Sequence, residues 1–368
     1  MVIKENTRKS NLELYRVIVM LLIIAHHYVV NSGLLQLINE DPLAPNAMFL
    51  RIFGAWGKTG INCFVLITGY FMCKSQITAK KYAKLLLEIY VYKLTIYGVF
   101  LVTGHETLSA TRIFELLNVF IGVSDGFVSC FLLFYLLIPF LNLLTQSMNK
   151  KQHFVMMVLC LFIYTMLDMV PGVQVRMNYV SWFIVLYMVA SYIRLYPSPL
   201  YENTVFWGWV TLACIGIAVI SIVAMALIGK AGSSYFFVSD SNRIMAVMLA
   251  VSSFLYFKSW NLKFNPMINK LGAATFGVLL IHGNSDVMIR WLWKEFLNNV
   301  EMAQSAWLVV HAMCSVFGIF AVCAVIDMLR VRFVEIPFFG IWDQKWPGVL
   351  EQYRKIEKKA MQILRIEE

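Results

Sequence analysis

Residues 14–28 read LYRVIVMLLIIAHHY, with one arginine near the start, two adjacent histidines near the end and a run of mostly aliphatic residues between them. Extended to residues 12–31, the stretch reaches the roughly 20 apolar residues a helix needs to cross the hydrocarbon core of a bilayer. It reads as a retained span rather than a cleaved leader: it is long, carries Arg16 within it and lacks a small-residue cleavage site. Similar runs follow at 56–73, 82–103, 127–147, 154–171, 179–196, 205–229, 243–258, 270–289 and 306–329. The fold class expected is all-α, a polytopic transmembrane helix bundle of about ten spans with both termini cytoplasmic. Segment 110–122 is amphipathic and is expected to lie against the membrane.

Composition points the same way. The chain is 60% hydrophobic and 14% charged, whereas soluble domains keep charged residues at about a quarter. A net charge of +10 would suggest nucleic acid in a soluble chain. Here the basic residues sit in short clusters between apolar runs, so no nucleic-acid partner is expected; the partner is the lipid bilayer. With the N-terminus inside, 21 of the 31 Lys and Arg fall on the cytoplasmic side and 8 outside, leaving Arg16 and Lys93 in the membrane. Residues 1–335 are assigned to the bundle and 336–368 to a basic amphipathic tail on the inner leaflet. In that tail Val349, Tyr353, Ile356, Ala360 and Ile363 recur at helical spacing among Arg354, Lys355, Lys358 and Lys359. The seven cysteines form no CxxC pair, so neither a metal site nor a disulfide framework is expected.

Each ionisable group inside a bilayer costs about 3 kcal/mol on insertion scales and needs a reason. Arg16 and His27 are eleven residues apart, nearly three turns at about 100° per residue, so they share a helix face roughly 16 Å apart. His26 is rotated away and is expected to pack or hydrogen-bond between helices. Taken singly, Arg16 is explained by snorkelling and His27 by an interhelical hydrogen bond; the shared face favours function. Glu88 follows Lys84 at the spacing of a helical ion pair. Lys93 lies deeper and either pairs with Asp327 or another carboxylate, or meets a phosphate. His311 and Asp327 read as lone polar groups, and Asp168 and Asp286 as span-end groups that meet water.

The Arg16-(ten residues)-His27 pattern resembles the opening of the acyltransferase 3 family of integral membrane acyltransferases. Further segments are similar in order: Gly60–Tyr70, GINCFVLITGY, with Thr68 where serine is usual; Trp182-Phe183; Thr275–His282, TFGVLLIH; and Glu335-Ile336-Pro337. The resemblance covers nearly the whole chain. It implies transfer of an acetyl or other short acyl group from acyl-CoA to polysaccharide, lipopolysaccharide, peptidoglycan or a small metabolite. Some members of that family add an extracytoplasmic hydrolase-like domain. None is read here, so the bundle is expected to act alone or with a glycan-assembly partner protein in the plasma membrane.

Acyl transfer to a sugar hydroxyl needs a base and donors for the oxyanion of the tetrahedral intermediate. Histidine suits proton transfer near neutral pH. His27 is therefore the expected catalytic residue, either taking the acceptor proton or becoming acylated itself. Arg16 is expected to bind acyl-CoA (acetyl-CoA as co-substrate) from the cytoplasm, its guanidinium suited to phosphate. Asn62, Thr68, Trp182, His282 and Lys93 are expected to line the pocket, with a polysaccharide or glycan as acceptor and no metal. Two other classes compete. A transporter or flippase for a glycan or small anion commonly shows paired internal repeats, which this sequence lacks. A non-catalytic component of a glycan-assembly complex would not need acyl-CoA.

Overall fold

A computed structural model describes residues 9–123, 126–173 and 175–364, with side chains through Glu351. The side chains of the amphipathic tail beyond that point, including Tyr353, Ile356, Ala360 and Ile363 and the basic residues between them, lie outside the described residues, as do Lys4 and Arg8. Among the described residues the chain is helical, with no strand.

The helices run in order: α1 Ser10–Val30, α2 Leu34–Glu40, α3 Pro45–Phe53, α4 Gly57–Met72, α5 Ala79–Val102, α6 Ala110–Leu117, α7 Phe127–Ser147 and α8 Lys150–Leu161. They continue with α9 Tyr179–Leu195, α10 Thr204–Leu227, α11 Ile244–Lys258, α12 Pro266–Gly283, α13 Asp286–Arg290, α14 Asn299–Met302, α15 Leu308–Arg330 and α16 Ile336–Leu364. Side-chain caps mark several starts: Thr78 accepts from the Lys81 amide, Asn149 and Gln152 form a reciprocal box, and Asn178 and Asn203 cap α9 and α10. At α12, Asn265 caps while Pro266 takes the first turn, where its missing N–H costs no hydrogen bond.

A helix occupies each of the ten apolar segments. Six of these helices are long and apolar enough to cross a membrane: α1, α5, α7, α8 with its extension to Met169, α10, and the run that begins with α15. The apolar α9 and α11 have 17 and 15 residues, about 25 and 22 Å at 1.5 Å per residue, less than the roughly 30 Å hydrocarbon core. α9 compensates by burial, since most of its side chains are enclosed. By contrast α10 turns Trp209, Leu212, Ile217 and Ile220 outward, an apolar surface suited to lipid. Segment 110–122 contributes the short α6, none of whose residues is buried.

The described chain forms two compact units, one reaching Ala324 and one from Val325 onward. Within the first, α1 packs against α4, α11 and α12, and α4 packs in turn against α9 and α11. Glycines set the α1–α4 seam. A Cβ on Gly54, Gly57 or Gly60 would lie 2.8, 2.2 or 2.6 Å from the side chains of Val29, His26 and Ile23 respectively. Those partners descend as the glycines ascend, so the two helices run antiparallel and meet at one small residue per turn, the device that lets membrane helices approach closely. Against α12 the pairs are Glu13 with Gly272 and His27 with Gly283, so α1 and α12 run parallel. In the second unit, Arg330 binds Asp327 at 2.8 Å and Glu335 at 2.9 Å, all three buried.

Several polar groups have partners that spacing did not reveal. Asp327, read as a lone polar group or a partner for Lys93, is paired with Arg330. Asp168 meets Arg243 at 3.2 Å and accepts from Asn242 rather than simply facing water. His311 Nδ1 lies 2.8 Å from the Tyr28 hydroxyl. Lys93 gives its hydrogen bond to the Glu115 carbonyl at 2.7 Å, a backbone partner in place of the expected carboxylate.

Candidate active site

Near the end of α1, His27 Nδ1 lies 3.1 Å from Nε2 of His282, one residue before the end of α12. His282 Nδ1 in turn lies 2.6 Å from the Val278 carbonyl one turn earlier. A carbonyl oxygen only accepts, so His282 Nδ1 carries the hydrogen. With both rings neutral, His282 Nε2 is then a lone pair, and His27 Nδ1 must donate to it. The proton order of the pair is thereby settled, and His27 Nε2 retains a lone pair with no hydrogen-bond partner among the described residues. Gly283 makes room for the ring: a Cβ there would lie 3.0 and 3.2 Å from His27 Cε1 and Nδ1. The arrangement is a base whose tautomer is held by a second group and anchored by a third, a general requirement for proton abstraction.

His27 opens onto a cavity of about 280 Å³. Its lining combines apolar residues, Ile23, Ile61, Phe64, Phe127 and Leu279, with polar ones, His26, Lys58, Ser129 and Asn284. His26, expected to pack or hydrogen-bond between helices, bonds between segments, its Nδ1 lying 2.6 Å from the Gly54 carbonyl, and it also lines this cavity. The same donor argument leaves its Nε2 as a lone pair. Lys58 donates to the Tyr179 hydroxyl at 2.8 Å, with Asp240 3.8 Å away.

The remaining expected residues are placed elsewhere. Asn62 and Trp182 are fully enclosed and bonded to each other: the indole donates to Asn62 Oδ1 at 2.8 Å, while Asn62 Nδ2 donates to the Ser241 carbonyl at 2.7 Å. They brace α4 against α9 and the loop before α11, and neither is among the residues lining the His27 cavity. Thr68 donates to the Phe64 carbonyl one turn back in its own helix. Arg16 pairs with Glu13 at 3.5 Å and also stands off the His27 cavity. Lys93 lines a neighbouring cavity. Lys58 and Asn284 escaped the sequence reading although each sits two residues from a motif edge, Lys58 before Gly60 and Asn284 after His282. Ser129 carries no sequence signal of its own.

A family model described as an acyltransferase domain matches residues 9–328. The chain belongs to the acyltransferase 3 family. It is a membrane acyltransferase, an enzyme, and the match runs from just before α1 nearly to the end of α15, so both histidines of the pair lie inside it. No curated protein and no solved structure matches this acyltransferase.

Proposed function

We propose that this acyltransferase moves an acetyl or other short acyl group from acyl-CoA to a hydroxyl of a cell-surface or exported polysaccharide, in the plasma membrane, with His27 as the general base. The observation that carries the reading is the relay Val278 carbonyl, His282, His27, which leaves a lone pair at the cavity wall. In the step, the acceptor oxygen forms a bond to the thioester carbon as its proton passes to His27 Nε2. Collapse of the tetrahedral intermediate breaks the carbon–sulfur bond, and the same proton goes to the sulfur, releasing CoA as the free thiol. The Lys58 ammonium, with three donors, is assigned to the developing oxyanion. A cavity of about 280 Å³ suits a thioester end and a short acyl group. Arg16, roughly 16 Å along α1 from His27, is assigned to the CoA phosphates at the cytoplasmic end, the orientation favoured by the basic loops and a ten-span topology.

The test is acetyl-CoA-dependent acetylation of host glycan in isolated membranes. Wild type is expected to transfer, and His27→Ala, inserted to the same level, is not. Wild-type activity in that variant would remove the assignment. Rapid quenching with radiolabelled acetyl-CoA and no acceptor separates the base from the nucleophile: label held on His27 identifies an acyl-enzyme route instead.

A further inference from the structure

A second cavity, of about 340 Å³, adjoins the one that holds His27. The two share part of their walls: Ile121, Val128, Ser129 and Asn284 line both. The characters of the two differ. The second is bordered by Lys93 and Tyr97 of α5, Glu106, Arg112 and Glu115 on and before α6, and Asp286 at the start of α13. Arg112 donates to the Glu115 carboxylate at 2.7 Å and lies 3.7 Å from Glu106, Lys93 donates to the Glu115 carbonyl, and the Tyr97 hydroxyl donates to the Thr107 carbonyl at 3.0 Å. Interlocked charges of this kind hold one another in fixed positions while leaving further lone pairs and N–H groups to offer.

We infer that this second cavity is the acceptor subsite, which takes a neutral, hydroxyl-rich sugar residue and presents one of its hydroxyls across the shared wall to His27. The inference rests on the acyl-transfer reading above. Three observations carry it. Its ionisable lining holds three carboxylates against two cations, a balance that disfavours the anionic nucleotide end of CoA and suits a polyol needing both donors and acceptors. Its volume lies at the lower end of ligand pockets, about 300–1,000 Å³, enough for a single sugar. It reaches the His27 end of α12, since Asn284, which lines it, directly follows Gly283, the residue that abuts the His27 ring. A hydroxyl both donates and accepts, so carboxylates beside a guanidinium offer it partners of both kinds.

The experiment uses the full chain in native membranes, acetyl-CoA, and oligosaccharides released by mild acid from the surface polysaccharide of the producing cells. Two variants are measured. Asp286→Asn keeps the side-chain shape and removes the charge; Leu116→Trp fills the cavity from α6, a helix with no buried residue and therefore tolerant of bulk. Each is expected to raise the half-saturating oligosaccharide concentration about tenfold while shifting that for acetyl-CoA less than about twofold. A loss confined to folding or insertion would not produce such a split. Wild-type oligosaccharide dependence in both variants, alongside an inactive His27→Ala, overturns the subsite and leaves the transfer reading standing. Failure of wild type itself to acetylate these oligosaccharides overturns both.

Discussion

The two ends of α1 meet α12 through a glycine each, with opposite consequences. At one end a Cβ on Gly272 would lie 2.4 Å from the Glu13 carboxylate and 2.8 Å from its backbone oxygen, so the helices touch and the Arg16–Glu13 pair is made within a single helix. At the other end Gly283 leaves 3.0 Å to an imidazole whose hydrogen bond crosses to the neighbouring helix. The charge at the Glu13 end is matched inside its own turn. The ring at the His27 end is held by a different helix, which orients it beside a cavity.

Beyond His27 itself, the largest expected effect that separates the two ends is at His282. His282→Ala removes the acceptor for His27 Nδ1 and is expected to lower kcat about a hundredfold with little change in the acetyl-CoA KM. His282→Gln, whose side-chain carbonyl accepts the same hydrogen bond, is expected to regain much of that loss; equal activities in the two would refute the tautomer argument. At the opposite end, Arg16→Lys keeps the charge beside Glu13 but not the planar fork. It is expected to raise the acetyl-CoA KM about tenfold with kcat nearly intact, and a fall in kcat alone would place Arg16 in the chemistry instead. The glycines give the smallest and sharpest contrast. Gly272→Ala forces atoms apart against backbone and is expected to cost about 1–3 kcal/mol in the unfolding of detergent-purified protein. Gly283→Ala needs the ring to shift by only a few tenths of an ångström, so it is expected to spare stability and lower the rate severalfold. Equal stability losses would mean that the two contacts are built alike.

Much of the bundle was legible because lipid imposes a crude rule: about 20 apolar residues per crossing, visible in stretches like 12–31 or 205–229. The short helices α9 and α11 were legible too, although both fall below a full crossing, because burial keeps them as apolar as lipid does. Arg16 and His27 stood out for a related reason, since a charge in an apolar run is costly. Asn62 and Trp182 were noticed, but the bond between them was not. A polar residue on an apolar helix looks the same whether it lines a cavity or satisfies an indole 120 positions away. Lys58 was hidden by its place at a helix start, where basic residues are ordinary. Asp168 and Asp327 were read as unpaired because a carboxylate near a span end does not announce its guanidinium.

The sequence by itself determined that this chain lives in lipid, roughly where its helices lie, and that one of them carries an arginine and a histidine on a common face. Periodicity and apolar run length act locally, along one helix at a time. Which groups meet was decided only by the tertiary structure. The contact of His27 with His282 joins positions 255 residues apart, and it exists because glycines let α1 settle against α4 and α12 at a depth that no single helix specifies.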